Sequence, residues 1–156
     1  MAIHVVLYQP EIPANTANIA RTCAATDTAL HLIRPLGFST DEKMIQQAGL
    51  DFWHSVNLTY YDSLDDFFLK NQGEFYYIET FGEKPHSSFD FSDPLKEHYF
   101  MFGKESTGLP KDLLNNYKDH FMRIPMNDHV RSLNLSNTAA ILVYEAMRQQ
   151  GFPNLK

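Results

Sequence analysis

The chain reads as an α/β domain: a mainly parallel six-stranded sheet with helices on both faces, residues 1–156 forming one domain. Three observations predict this. Short β-branched or aromatic runs of strand length alternate with segments of helix length, the order that builds parallel sheets covered on both sides. A chain of 156 residues with 44% hydrophobic residues can bury one real core. No repeat, linker or low-complexity stretch divides it.

The elements follow in order. IHVVLY (3–8) is the first strand, and a helix over about 15–26 follows it. LHLIR (30–34), VNLTY (56–60), FYYIET (75–80), YFMFG (99–103) and FMRIP (121–125) supply the other strands, with helices at about 41–48, 63–70, 110–117 and 135–149. Ser63 followed by Asp66 fits a variant capping box, Pro110 suits a first helical turn, and Gly151 stands where a C-terminal cap would. The stretch GEKPHSSFDFSDPLKEH (82–98) has no clear periodicity and is expected to be a mobile surface segment.

Composition narrows the partners. A formal charge of −6 argues against coating nucleic acid by bulk charge. It leaves room for a local basic rim, for which Arg21, Arg34, Lys104, Lys111, Arg123 and Arg131 stand at or near element ends. No apolar run approaches the roughly 20 residues that span a bilayer, and MAIHVVLYQPEIP lacks a basic leader, so the expected setting is cytoplasmic without membrane contact. The single cysteine, Cys23, lies in an Ala-rich helical stretch and reads as a buried structural thiol.

In parallel α/β sheets ligands bind beyond the carboxyl ends of the strands. The first strand runs into QPEIPANTANIAR, where Asn15, Asn18 and Arg21 share roughly one helical face. Asn15 as a helix cap and Arg21 as a solvated cation are equally open readings. Ile78-Glu79-Thr80-Phe81-Gly82 and FGKESTGLP (102–110) follow the fourth and fifth strands. Gly103 and Gly108 permit tight turns but make neither a dinucleotide fingerprint nor a P-loop. On sequence statistics Glu105 is a loop acid. VRSLNLSNTAAI (130–141) opens the last helix with Arg131, Ser132, Asn134, Ser136 and Asn137, polar groups that cap a helix or hold a ligand. His129 and Ser132 with Asp128 adjacent lack a nucleophile elbow, which disfavours a hydrolase, and no histidine spacing suggests a catalytic metal. Tyr8, Phe38 and Trp53 read as core aromatics, or as stacking surfaces for a base if exposed.

Taken together, NTANIARTCAA, FGKESTGLP and IPM followed by VRSLNLSNTAAILVYEAMRQ, in that order over nearly the whole chain, resemble the SPOUT methyltransferases. Within them the match is to the short tRNA 2′-O-methyltransferases of the wobble cytidine or uridine. The chain departs from the family at Ala17, where glycine is usual, and at ETFGE (79–83), where a TTKG-like segment is usual. The resemblance implies a C-terminal trefoil knot, an exception to the rule against threaded loops. It also implies S-adenosylmethionine held by Ile78, Thr80, Gly103, Ile124, Met126, Ser132 and Leu133. The apolar positions Leu135, Ala139, Leu142 and Ala146 would then face the knot or a partner subunit, though Ala139, Leu142, Val143 and Ala146 also have ordinary core spacing.

Chemically, a ribose 2′-hydroxyl would attack the methyl in line, without a metal, which makes RNA and not DNA the substrate. Arg21 carries the central catalytic role by resemblance. Because a guanidinium resists deprotonation, it is expected to act as a hydrogen-bonding clamp. Glu105 would hold it, and Asn15, Ser132 and Asn134 would place the ribose or line the pocket. The implied partners are the tRNA anticodon stem-loop and a second copy of the chain in a homodimer, with Arg21 of one chain reaching the other's pocket. The alternatives are the same chemistry on ribosomal RNA and a catalytically silent RNA-binding module.

Overall fold

A computed structural model describes residues 2–41, 46 and 49–156; the helix expected at 41–48 falls largely outside them. The six expected strands form, with ends displaced by about two residues at most, the usual uncertainty of element boundaries. They are β1 (Ile3–Tyr8), β2 (Ala29–Ile33), β3 (Leu58–Tyr61), β4 (Glu74–Ile78), β6 (His98–Phe102) and β7 (Phe121–Arg123). The sheet has a seventh strand, β5 (Lys84–Pro85), in the order β3-β2-β1-β6-β4-β7-β5, and every pairing is parallel. β5 corrects the expected six. Two residues ending in proline have no apolar alternation to read, and as an edge strand it needs a partner on one side only.

Among the described residues, four α-helices flank the sheet: α1 (Pro13–Thr26), α2 (Leu64–Lys70), α3 (Lys111–Asn116) and α4 (Leu135–Gln149). Alternation along β1 divides the core. Val5 and Leu7 pack with Ile19, Ala20 and Cys23 of α1 and Ala139, Leu142, Val143 and Ala146 of α4, whereas Val6 joins Phe67 of α2 and Leu113 of α3 on the opposite face. Small residues where α1 meets α4 let the two helices seat closely on the strands. The ordinary core spacing of α4 is therefore what the structure uses: Ala139, Leu142 and Ala146 are buried within their own chain, and only Leu135 is partly buried. Cys23 is buried as expected, and burial pushes its thiol up to about 12.

Local signals behave unevenly. Ser63 Oγ accepts from the Asp66 N–H (3.0 Å), but the returning carboxylate bond goes to the Asp62 N–H (3.0 Å), one residue before the usual partner. Gly151 at φ 78° closes α4, as expected for a left-handed terminator. The 82–98 segment differs from expectation. Phe91 is fully buried, its N–H donates to Gln149 Oε1 (2.6 Å), and Gln149 and Gln150 donate to the Phe89 and Phe91 carbonyls (3.1 and 2.8 Å). A polar segment is thus tied to the end of α4 by amides and one aromatic anchor. Among the described residues no helix is long and apolar enough to cross a membrane.

Candidate active site

The carboxyl ends of β1, β4, β6 and β7 face one open cavity of about 450 Å³. Three loops build it. After β4, the Glu79 N–H bonds the Met122 carbonyl (3.0 Å), and Gly82 turns so closely that a Cβ there would lie 2.5 Å from Met122 C. After β6 the chain folds back on itself: Lys104 and Gly108 form an antiparallel bridge, and the Gly108 N–H donates to the Lys104 carbonyl (2.8 Å). A Cβ on Gly103 would lie 2.3 Å from Gly108 C and 2.4 Å from Leu109 N. The glycine is required because this loop closes on its own backbone. After β7, Ile124 is buried, and residues 126–134 run along the cavity to α4.

Asn134 explains the polar start of α4. Its Oδ1 accepts from the Ser136 N–H (2.9 Å), the Ser136 hydroxyl (2.5 Å) and the Asn137 N–H (3.4 Å), so it is the N-cap. Its Nδ2 donates to Asn15 Oδ1 (3.1 Å), joining the last helix to the first. Asn15 is buried and is not the cap of α1; that position belongs to Ile12, whose side chain offers no oxygen. Glu105 supplies what is missing there. Its carboxylate accepts from the N–H groups of Glu11 (3.2 Å) and Ile12 (2.6 Å), while Glu11 Oε1 accepts from the N–H and hydroxyl of Ser106 (2.9 and 2.7 Å). Glu11 is held below the usual carboxylate range by the Ser106 hydroxyl and N–H.

Asn15, Ile78, Thr80, Gly103, Glu105, Ile124, Met126, Ser132, Leu133 and Asn134 all line this cavity. Arg21 does not. Its guanidinium lies over the Phe52 ring, 4.8 Å from the centroid, on the exposed side of α1, and among the described residues it forms no ion pair with Glu105. The expected Glu105–Arg21 partnership is therefore absent within one chain, because the Glu105 carboxylate is occupied by the start of α1. The shared helical face also divides, with Asn15 turned inward and Asn18 and Arg21 outward.

Sequence reasoning gave no site role to Glu79 and named Lys104, Gly108 and Arg131 only as rim cations, a turn glycine and a possible cap or ligand group, yet all four line the cavity. Strand-end position was the usable signal, since Glu79 and Lys104 follow neighbouring strands within two residues. Of the expected basic rim, Lys104 and Arg131 reach the cavity. Arg34 instead pairs with Asp62 (3.3 Å) and stacks over Tyr60 (4.7 Å), beside Phe38 in a second hollow. Trp53 packs partly buried against the core.

A strand-end cavity built from three loops of a parallel sheet makes this an α/β protein with a ligand site where such folds place one, and comparison with known proteins makes the class specific. Residues 2–144 match the SpoU rRNA Methylase family, and the chain belongs to that family of methyltransferases. A Geobacillus stearothermophilus relative named "Putative tRNA (cytidine(34)-2'-O)-methyltransferase" is 69% identical over 156 residues, covering 99% of both chains. The tRNA (cytidine(34)-2'-O)-methyltransferase of Methylovorus glucosotrophus is 43% identical over 95% of this chain and 96% of its own. A solved structure described by "Structural insights into the 2-OH methylation of C/U34 on tRNA" superposes with a TM-score of 0.84 at 40% identity, covering 96% of this chain and 91% of that one. The fold of this chain is thus that of the SpoU methyltransferases, as the resemblance implied.

Proposed function

We propose that this chain transfers a methyl group from S-adenosylmethionine to the ribose 2′-hydroxyl of nucleotide 34 of tRNA, a cytidine or modified uridine. The observation that carries the reading is the convergence of all three motifs on one cavity, Asn15 from the first, Gly103 to Gly108 from the second and Ile124 to Asn134 from the third, in a chain whose relatives carry that activity in their names. The lining fits the cofactor. Ile78, Ile124, Leu133 and Leu135 offer an apolar wall for a purine, and the backbone of 78–80, 103–108 and 131–134 offers polar groups along the edge. When bound, the cofactor supplies an electrophilic methyl on a sulfonium.

The chain's own residues would then orient the acceptor. Asn134 has spent its oxygen on the helix cap, but it fixes Asn15 so that the Asn15 amide N–H groups are directed by a helix-to-helix bond. Asn15 would hold the ribose and Ser132 the cofactor beside it; as the 2′-oxygen takes the methyl, S-adenosylhomocysteine would leave and the hydroxyl proton pass to solvent, with Arg21 stabilising the negative charge that develops on the oxygen. Since Arg21 lies outside its own chain's cavity, we place it in the cavity of a partner in a homodimer. The trefoil knot belongs to the same reading, supported by the convergence of Met126 and residues 131–134 with residues 78–80 and the Gly103–Gly108 loop on one cavity, and by the packing of α4 with α1. The anticodon stem-loop as substrate and the cytoplasm as setting complete it.

The test is labelled methyl transfer to bulk tRNA followed by mapping of ribose methylation. Label at nucleotide 34 is expected. Label confined to ribosomal RNA would move the substrate, and cofactor binding without transfer to any RNA would make the chain a silent binding module.

A further inference from the structure

The cavity holds a carboxylate that the reaction scheme above leaves unused. Glu79, directly after β4, is more than half buried, and burial raises it above the usual carboxylate range against the opposing pull of the Leu109 N–H. Its Oε1 accepts that N–H at 2.7 Å and sits where a Cβ on Gly108, held at φ +75°, would come within 2.5 Å. The loop between β6 and α3 is therefore shaped around this side chain. Among the described residues Oε2 has no hydrogen-bond partner, and no lysine or arginine lies within ion-pair distance. Of the two cations of the lining, Lys104 donates to Gln9 Oε1 (3.3 Å), and Arg131 is exposed at the cavity rim without an ion pair to Glu79 among the described residues. Glu105, the other lining acid, is saturated by backbone N–H groups.

A half-buried carboxylate at the cavity wall, with one oxygen anchored by a backbone N–H, the other free and no counter-charge beside it, is a ready partner for a cationic group of a ligand. Resting on the cofactor reading of this cavity, we infer that Glu79 is a cofactor-binding residue that recognises the positively charged methionine end of S-adenosylmethionine.

The experiment is titration calorimetry of the unaltered protein and Glu79→Gln with three ligands: S-adenosylmethionine, S-adenosylhomocysteine and methylthioadenosine, which lacks the charged arm. Glutamine can still accept the Leu109 N–H, and matching thermal melts check that the loop is intact. Glu79→Gln should weaken S-adenosylmethionine roughly tenfold or more, the size of a lost charge-assisted hydrogen bond, and leave methylthioadenosine within about twofold. S-adenosylhomocysteine reports which cation is read: weakening equal to that of S-adenosylmethionine assigns the ammonium, and no weakening assigns the sulfonium. An equal loss for all three ligands would overturn the inference in favour of sugar contact or loop shape. Unchanged affinity for all three, with or without loss of turnover, would also overturn it. If the unaltered protein bound none of the three, the cofactor reading itself would fall.

Discussion

The strand-end cavity and the outer face of α1 carry the two halves of the proposed chemistry, and they are built in opposite ways. The cavity is finished within one chain: its loops are closed by Gly82 and Gly103 against backbone and by Gly108 against the Glu79 carboxylate, and its polar corners are tied by Glu105 and Asn134. The α1 face is unfinished. Arg21 rests on Phe52 with no acid to orient it among the described residues. On the proposed reading the difference means that holding the cofactor and acting on the acceptor fall to separate regions, the second completed by a partner chain.

The largest effect should come from the unfinished half. Arg21→Ala should cut methyl transfer by about 100-fold or more, the scale for removing a group that stabilises developing charge, while leaving cofactor affinity within about twofold. Calorimetry beside single-turnover kinetics separates the two, and a parallel loss of affinity would erase the distinction between the regions. Ser132→Trp attacks the other half. Ser132 is exposed at the cavity wall, so an indole can fill the space without disturbing the core, and cofactor affinity should fall roughly tenfold or more with an unchanged melt.

Two smaller effects sharpen the account of how the cavity is closed. Gly103→Val should destabilise the fold by about 1–3 kcal/mol, seen as a lower melting temperature, because the new side chain meets the Gly108–Leu109 backbone. Weakened ligand binding with an unchanged melt would instead place that side chain against the ligand. Asn134→Ala removes the cap of α4 and the bond to Asn15, and should cost about 1 kcal/mol in denaturant unfolding.

The sheet was legible in the sequence because its strands are dense apolar runs, and the cavity was legible because ligand sites in such sheets follow strand ends. What was not legible has a physical cause in each case. β5 pairs through backbone alone. The 82–98 segment looks loose until Phe91 and the two glutamines at the end of α4 are brought together by folding. Glu105 looked like a loop acid or a partner for Arg21, and only the approach of two segments more than ninety residues apart shows that it caps a helix whose own N-cap is an isoleucine. The outward turn of Arg21 was hidden by a spacing that puts Asn15, Asn18 and Arg21 on one broad face, which the core then splits.

The division of labour is tested most directly by mixing. An Arg21→Ala chain and a Ser132→Trp chain, each nearly inactive alone at a cofactor concentration well below what the Ser132→Trp cavity needs, are combined, and subunit exchange is verified before methyl transfer to tRNA is measured. If each site joins the cavity of one chain to Arg21 of its partner, half of the randomly formed dimers are mixed and each has one working site. Roughly a quarter of the unaltered activity should return. If every site is built from a single chain, the mixture should stay as inactive as its parents, and that result would contradict the account.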